Sequence, residues 1–234
     1  MVRTCPCVLY QKRQPIMLKS THADVLNKPY SQIKDLKLYC PDKLDDIKAN
    51  HQQSWQRFKV FIFAIYANLP PTFAKPHIES WCNGWEIRRH LFAYYKYEQY
   101  LAHAPIISVI LNKYRLVISL DWHSYKAKYS SSSLSDFNEW LTMIDTKAFD
   151  GYYYWHKDTK INTLQPDNIM PISRLDDDMP HLDKDDYYRL GLMMIKDELD
   201  DFGDDELVAW ATHHIKTLAG VYEWCHGCGV SALI

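Results

Sequence analysis

Asp121, His123 and Tyr125 fall at alternate positions of the run 114–125, and Ser119 precedes them by one more step. Side chains of an extended chain point to opposite faces in turn. A hydroxyl, a carboxylate, an imidazole and a phenol therefore share one face with Val117, while Leu116, Ile118, Leu120 and Trp122 share the other. An imidazole beside a carboxylate is the smallest unit of general acid–base chemistry, because the carboxylate fixes the tautomer and supports the charged form. A second tryptophan–histidine step, Trp155-His156, follows Tyr154 in another strand-like run, 151–156. If both runs enter one sheet, Asp121 and His123 can approach Tyr154 and His156. Two histidines and an aspartate could also hold a divalent ion, but a polar sheet edge is the commoner outcome, and no metal or other cofactor is assigned. Arg88 and Arg115 are the cations available for an anionic group.

The elements that would position these groups can be read from periodicity. Residues 106–111 and 114–125 are rich in β-branched and aromatic side chains and are joined at Asn112-Lys113, which predicts a β-hairpin. A stripe of Leu44, Ile47, His51, Trp55, Phe58, Ile62 and Ile65 at three- and four-residue spacing predicts a long helix. Asp42 is its expected cap and Pro70-Pro71 its stop. A weaker helix over 20–38 is interrupted near Pro29. Strands are expected over 85–97, 151–156 and 190–195, and a short helix from Ser135. A final helix capped by Asp204 carries Leu207, Trp210, His214, Leu218, Val221 and Tyr222, ending near Gly227. Residues 157–186 are polar, contain three prolines and read as a long loop. The order implies a single-domain α+β fold over 17–234, a largely antiparallel sheet with the long N-terminal helix and the C-terminal helix packed on it. Residues 1–16 share no pattern with the rest of the chain and read as a disordered tail or a misassigned start.

Composition narrows the function classes. The chain has 234 residues, 47% apolar and 24% charged, with a formal net charge of −2. No bulk charge advertises nucleic acid or a membrane surface. No apolar run reaches the roughly 18 residues needed to span a bilayer, and the N-terminus lacks the apolar core of a signal peptide. A cytoplasmic protein with six reduced cysteines is expected. Only seven glycines are present, and no G-x-G-x-x-G, G-x-x-x-x-G-K-[ST], G-x-S-x-G or H-E-x-x-H occurs, against Rossmann, P-loop, α/β-hydrolase and zincin chemistry.

Other polar clusters have ordinary explanations. Cys225-His226-Gly227-Cys228 comes after a helix C-terminus, where the dipole opposes a thiolate. As half of a zinc site it would need two more ligands, and Cys5 and Cys7 lie far away in the N-terminal extension. Residues 176–206 carry thirteen acidic against three basic side chains. That fits a solvated face, or a docking surface for a basic partner. Arg88-Arg89-His90 with Phe92, Tyr94, Tyr95, Tyr97 and Tyr100 interleaves cations and aromatics as single-strand nucleic-acid surfaces do, yet Glu86 and Glu98 dilute it, and nucleic acid is not the expected partner.

The segment 116–126, with Trp122-His123-Ser124-Tyr125-Lys126, and Asn138-Glu139-Trp140 beyond it, resembles an uncharacterised bacterial family whose members often carry the automatic label glucose-6-phosphate 1-dehydrogenase. The layout also resembles the YktB-like fold. The resemblance spans roughly residues 17–225 and implies the α+β architecture. It brings no catalytic residues. Genuine glucose-6-phosphate dehydrogenases are far longer and use a glycine-rich Rossmann turn, which this chain lacks, so dehydrogenase activity is not expected.

Three functions fit the residues. The first is binding of a small molecule, including an anionic one, at polar strand ends around Asp121, His123, Tyr125, Tyr154 and His156, with Arg88 or Arg115. The second is a hydrolase-type or other acid–base enzyme using His123 with Asp121. The third is an interaction module using the acidic 176–206 face. Oligomeric state has no signal in the sequence.

Overall fold

A computed structural model describes residues 18–227 apart from residue 178. The proposed tail over 1–16, together with Cys5, Cys7 and Cys228, lies outside the described residues. Among the described residues the strands are β1 (His77–Ile78), β2 (His90–Tyr95), β3 (Pro105–Asn112), β4 (Arg115–Trp122), β5 (Tyr153–His156), β6 (Ile169–Pro171) and β7 (Tyr188–Ile195). They form one sheet in the order β1-β2-β3-β4-β7-β5-β6, every neighbouring pair antiparallel. The helices are α1 (Ser20–Asp24), α2 (Ile33–Tyr39), α3 (Leu44–Tyr66), α4 (Leu134–Asn138), α5 (Trp140–Met143) and α6 (Asp204–Trp224). This is the α+β architecture with a long N-terminal and a C-terminal helix that the pattern implied.

The hairpin is the centre. Asn112 Oδ1 accepts from the backbone N–H groups of Tyr114 and Arg115 at 2.8 and 3.0 Å, a side-chain mimic of a turn that explains an asparagine there. β3 and β4 then pair from Leu111↔Leu116 to Pro105↔Trp122. Leu116, Ile118, Leu120 and Trp122 face α3 and α6 in one apolar cluster with Phe58, Ile62, Ile65, Ile215 and Leu218. We call this the inner face. All eight residues of β4 are buried, so the outer face is covered too: Val117 and Trp155 pack there against Ile161.

Several boundaries differ from the pattern: the strand expected over 85–97 is limited to His90–Tyr95, and β6 lies inside the expected loop 157–186. Strand β4 ends at Trp122, and Tyr125 sits in a 3-10 turn, Ser124–Tyr129, closed by Lys126 N–H to the His123 carbonyl at 2.9 Å. Asp42 lies in a 3-10 turn, Pro41–Lys43, ahead of α3 and does not cap it. Ser133, not Ser135, caps α4, accepting from Asp136 N–H at 3.1 Å while Asp136 accepts from Ser133 N–H at 2.6 Å, a reciprocal pair that satisfies two orphan donors. Gly203 precedes α6, and Glu206 accepts its N–H at 2.8 Å, so Asp204 is the first helical residue. No described helix is long and apolar enough to cross a membrane.

Two helix-borne histidines are held neutral by this packing. Burial, then the charge of Lys28, brings His51 on α3 down to about 4; burial, then His213, does the same for His214 on α6. Unfolded histidines titrate near 6.5. The unfolded chain therefore binds more protons between those values, and stability present above about pH 6.5 is lost as pH falls toward 4. For His51, 1% exposed, the effect is on the order of 3 kcal/mol. Urea unfolding should show stability declining from pH 7 to pH 4.5, with a shallower decline in His51→Gln; identical slopes would contradict a native-state shift at His51.

Candidate functional site

Register decides which predicted residues can meet. Leu120 pairs with Leu190 and Ser119 with Gly191, while Trp155 pairs with Arg189 and Tyr154 with Leu190. Ser119, Asp121, Arg189 and Trp155 therefore share the outer face. Tyr154 joins the inner core, and His156, two residues on, faces the same way. The sheet separates Asp121 and His123 from Tyr154 and His156, so the two tryptophan–histidine steps do not build one site. His156 instead donates from Nε2 to Asp186 at 3.0 Å, and Lys157 holds the same oxygen at 2.9 Å.

Asp121 does not orient His123. Its Oδ1 accepts from Arg189 Nε at 2.6 Å and from Trp122 N–H at 2.7 Å. Arg189 reaches on to the Lys157 carbonyl at 3.1 Å and the Tyr187 hydroxyl at 3.3 Å, so one guanidinium ties β4 to the chain leaving β5. The two anion-binding candidates are also engaged. Arg88 pairs with Glu79 at 3.0 Å and donates to the Ser80 carbonyl. Arg115 donates to the carbonyls of Thr163 and Leu164 at 2.9 and 2.8 Å. With Asn112 Nδ2 on the Ile161 carbonyl, it pins the polar 157–168 segment over the sheet. The expected loose loop is thus fastened at several carbonyls.

A groove begins beneath this segment and continues past it along the sheet. One end has a volume of about 490 Å³ and is lined by His90, Ser119, Asp121, Thr159, Asn162 and Arg189. The other, about 290 Å³, includes His90, Phe92, Asp121, His123, Tyr125 and Arg189. Shared residues make them continuous. Ser119 lies on its floor, in register with Ser108 of β3 and Gly191 of β7. The two hydroxyls are 3.0 Å apart. A Cβ on Gly191 would stand 2.3 Å from the Ile118 carbonyl and 2.7 Å from Ser119 Cβ, so only glycine fits that approach.

Two polar atoms at the groove are buried with no hydrogen-bond partner elsewhere in the described chain: Oγ1 of Thr159 and Nδ1 of His123, whose ring hydrogen-bonds only to its own backbone. Such atoms cost free energy until satisfied. His123 also sets its ring edge on Tyr94 at 5.3 Å. Burial is the leading cause that lowers the pKa values of both His90 and His123. Tyr125 stands at the rim, 91% exposed. Among the described residues no cluster of three potential metal ligands occurs. Within the inner apolar cluster Cys225 is wholly buried, and its thiol is pushed well up by that burial.

Arg189, Thr159 and the Ser108–Gly191 row do not stand out in the sequence as site residues, and His90 does so only as part of the cation–aromatic run 88–100. Arg189 carries one signal, a lone cation at the mouth of an apolar strand run. Thr159 carries none, since its position depends on the clamp at Arg115.

An α+β protein with an antiparallel sheet, helices on one face and a polar groove on the other is the class this architecture defines. A protein-family model matches residues 18–225, and the chain belongs to that family. It is 35% identical over 218 residues to a protein of Haemophilus influenzae titled "Uncharacterized protein", a match covering 90% of this chain and 99% of that one. Neither match speaks to dehydrogenase activity.

The Asp121–Arg189 pair is side-chain buried on both sides, 10% and 18% exposed. Removing one partner of such a pair leaves the other uncompensated, at a cost of about 3–5 kcal/mol. Asp121→Ala should lose roughly that much by denaturant unfolding. The double variant Asp121→Ala/Arg189→Met should be clearly less destabilised than the sum of the single changes; additive losses would show that the pair is not coupled.

Proposed function

We propose that this chain is a cytoplasmic small-molecule-binding protein whose site is the outer-face groove. The observation that carries the reading is the pair of buried atoms without a hydrogen-bond partner, His123 Nδ1 and Thr159 Oγ1, on the walls of a groove that reaches Ser119 on the sheet face. A concave site with a few convergent polar groups is the usual form of a ligand pocket.

The lining mixes donors and acceptors. Asp121 and Glu79 offer carboxylate oxygens, while Arg189, Asn162 and Thr159 offer N–H or O–H. This suits a polar molecule bearing both kinds of group better than a simple anion. For an anionic substituent, Lys160 and the remaining N–H groups of Arg189 are better placed than Arg88 or Arg115, which are held by Glu79 and by backbone carbonyls. Tyr125 adds an aromatic wall at the mouth. Acid–base catalysis gains no support from an Asp121 carboxylate turned to Arg189, and the dehydrogenase label lends nothing to this groove.

The test is thermal unfolding of the wild-type chain, Thr159→Val and His123→Ala over a panel of sugars, sugar phosphates, amino acids and nucleosides. A ligand at 100 times its Kd stabilises by about 2.7 kcal/mol, which for a chain of this size raises Tm by roughly 5–10 °C. Thr159→Val removes one hydrogen bond of about 1 kcal/mol and should weaken binding about fivefold. Equal responses in all three proteins would place the ligand elsewhere.

A further inference from the structure

Away from the groove, Lys28 lies in the turn between α1 and α2, 5% exposed. Buried ammonium groups are seldom found without a carboxylate partner, yet Lys28 Nζ donates to the Arg88 carbonyl and to His51 Nε2, 3.4 Å away. His51 Nδ1 stands 2.9 Å from the Ile47 carbonyl, which can only accept. Nδ1 therefore carries the proton and Nε2 turns a lone pair to Lys28. Burial, then Arg89, lowers the Lys28 amine to about 8, with Glu86 acting against them. A cavity of about 320 Å³ borders the pair, with Cys40, Lys43, Asn50 and Asp24 also on its walls.

We infer that Lys28 is a nucleophilic amine, positioned by His51, that captures a small carboxylate-bearing aldehyde from this cavity as an imine. In the neutral amine the two N–H bonds are directed to the Arg88 carbonyl and His51 Nε2, which leaves the nitrogen lone pair for a carbonyl carbon. A C–N bond forms as the C=O π pair moves to oxygen, and that oxygen takes one nitrogen proton. The carbinolamine then loses its hydroxyl group with the second nitrogen proton as water. Amine and aldehyde give imine and water, and no redox partner is consumed. Lys43 on the cavity wall supplies the charge for the carboxylate. His51 is a positioning residue throughout.

The experiment incubates the whole chain at pH 7 with glyoxylate and cyanoborohydride, which reduces an imine to a stable carboxymethyl-lysine, and maps the products by peptide mass spectrometry. An amine with a pKa near 8 is neutral about one-tenth of the time at pH 7, against about one part in 2,500 for an ordinary lysine. Lys28 should be trapped at least tenfold faster than the exposed Lys34 and Lys37, with a rate–pH midpoint near 8. His51→Phe should lower Lys28 trapping and move that midpoint, while His51→Gln, which keeps an acceptor, should retain it. Trapping no faster than at Lys34 and Lys37, or trapping only in denatured protein, would overturn the inference. Equal loss in both His51 variants would overturn the positioning role.

Discussion

The pairing of Asp121 with Arg189 is the constraint on which the outer face depends. β4 is buried along its whole length, so any charge it carries must be satisfied by protein rather than water. Asp121 meets that demand through one guanidinium and one backbone N–H. The same guanidinium fixes the chain just after β5 by donating to its carbonyl. Arg115 repeats the arrangement at the other end of β4, where it holds the carbonyls of Thr163 and Leu164. Two arginines thus suspend an irregular polar segment over a sheet face. Below that segment the sheet face presents Ser119, with Ser108 and Gly191 beside it in register.

The inner face obeys a simpler logic. Period-two apolar residues of β2, β3, β4 and β7 meet period-3.6 stripes of α3 and α6, and burial of that surface at about 25 cal/mol per Å² dominates the folding free energy. Some polar groups that enter this core have dedicated partners, while the Trp140 Nε1–H has none among the described residues. Tyr95 donates to the Ile62 carbonyl at 2.8 Å, and the Tyr152 hydroxyl lies 2.6 Å from His214 Nδ1. His123 Nδ1 and Thr159 Oγ1 belong to a wider set of buried polar atoms without a hydrogen-bond partner, and they are the two of that set that border the outer groove.

Much of the architecture is legible in the sequence because it is local. Asn112 at the hairpin turn, the alternation through β4 and the stripe from Leu44 to Ile65 each rest on contacts a few residues apart. The line of Ser119 and Asp121 does lie opposite Leu116, Ile118, Leu120 and Trp122, as alternation requires. The long-range pairings are not legible. Arg189 lies 68 positions from Asp121, and nothing near Asp121 names it as the partner in place of His123. Whether His156 joins His123 depends on the register of β5 against β7, and period two makes a one-residue slip reverse the face. The 157–186 segment reads as loose because its anchors are backbone carbonyls, which every residue possesses and no side-chain pattern reveals.

The central claim is that the outer groove, rather than the sheet ends as a whole, receives a ligand. A crystal structure of the chain with a compound that stabilises it would test this most directly. The account predicts density over the Ser108–Ser119–Gly191 row, beneath residues 157–163, with ligand atoms within hydrogen-bond distance of Thr159 Oγ1 or His123 Nδ1. Density at the inner-face cluster around His156 and Asp186, with the groove filled by water alone, would contradict it.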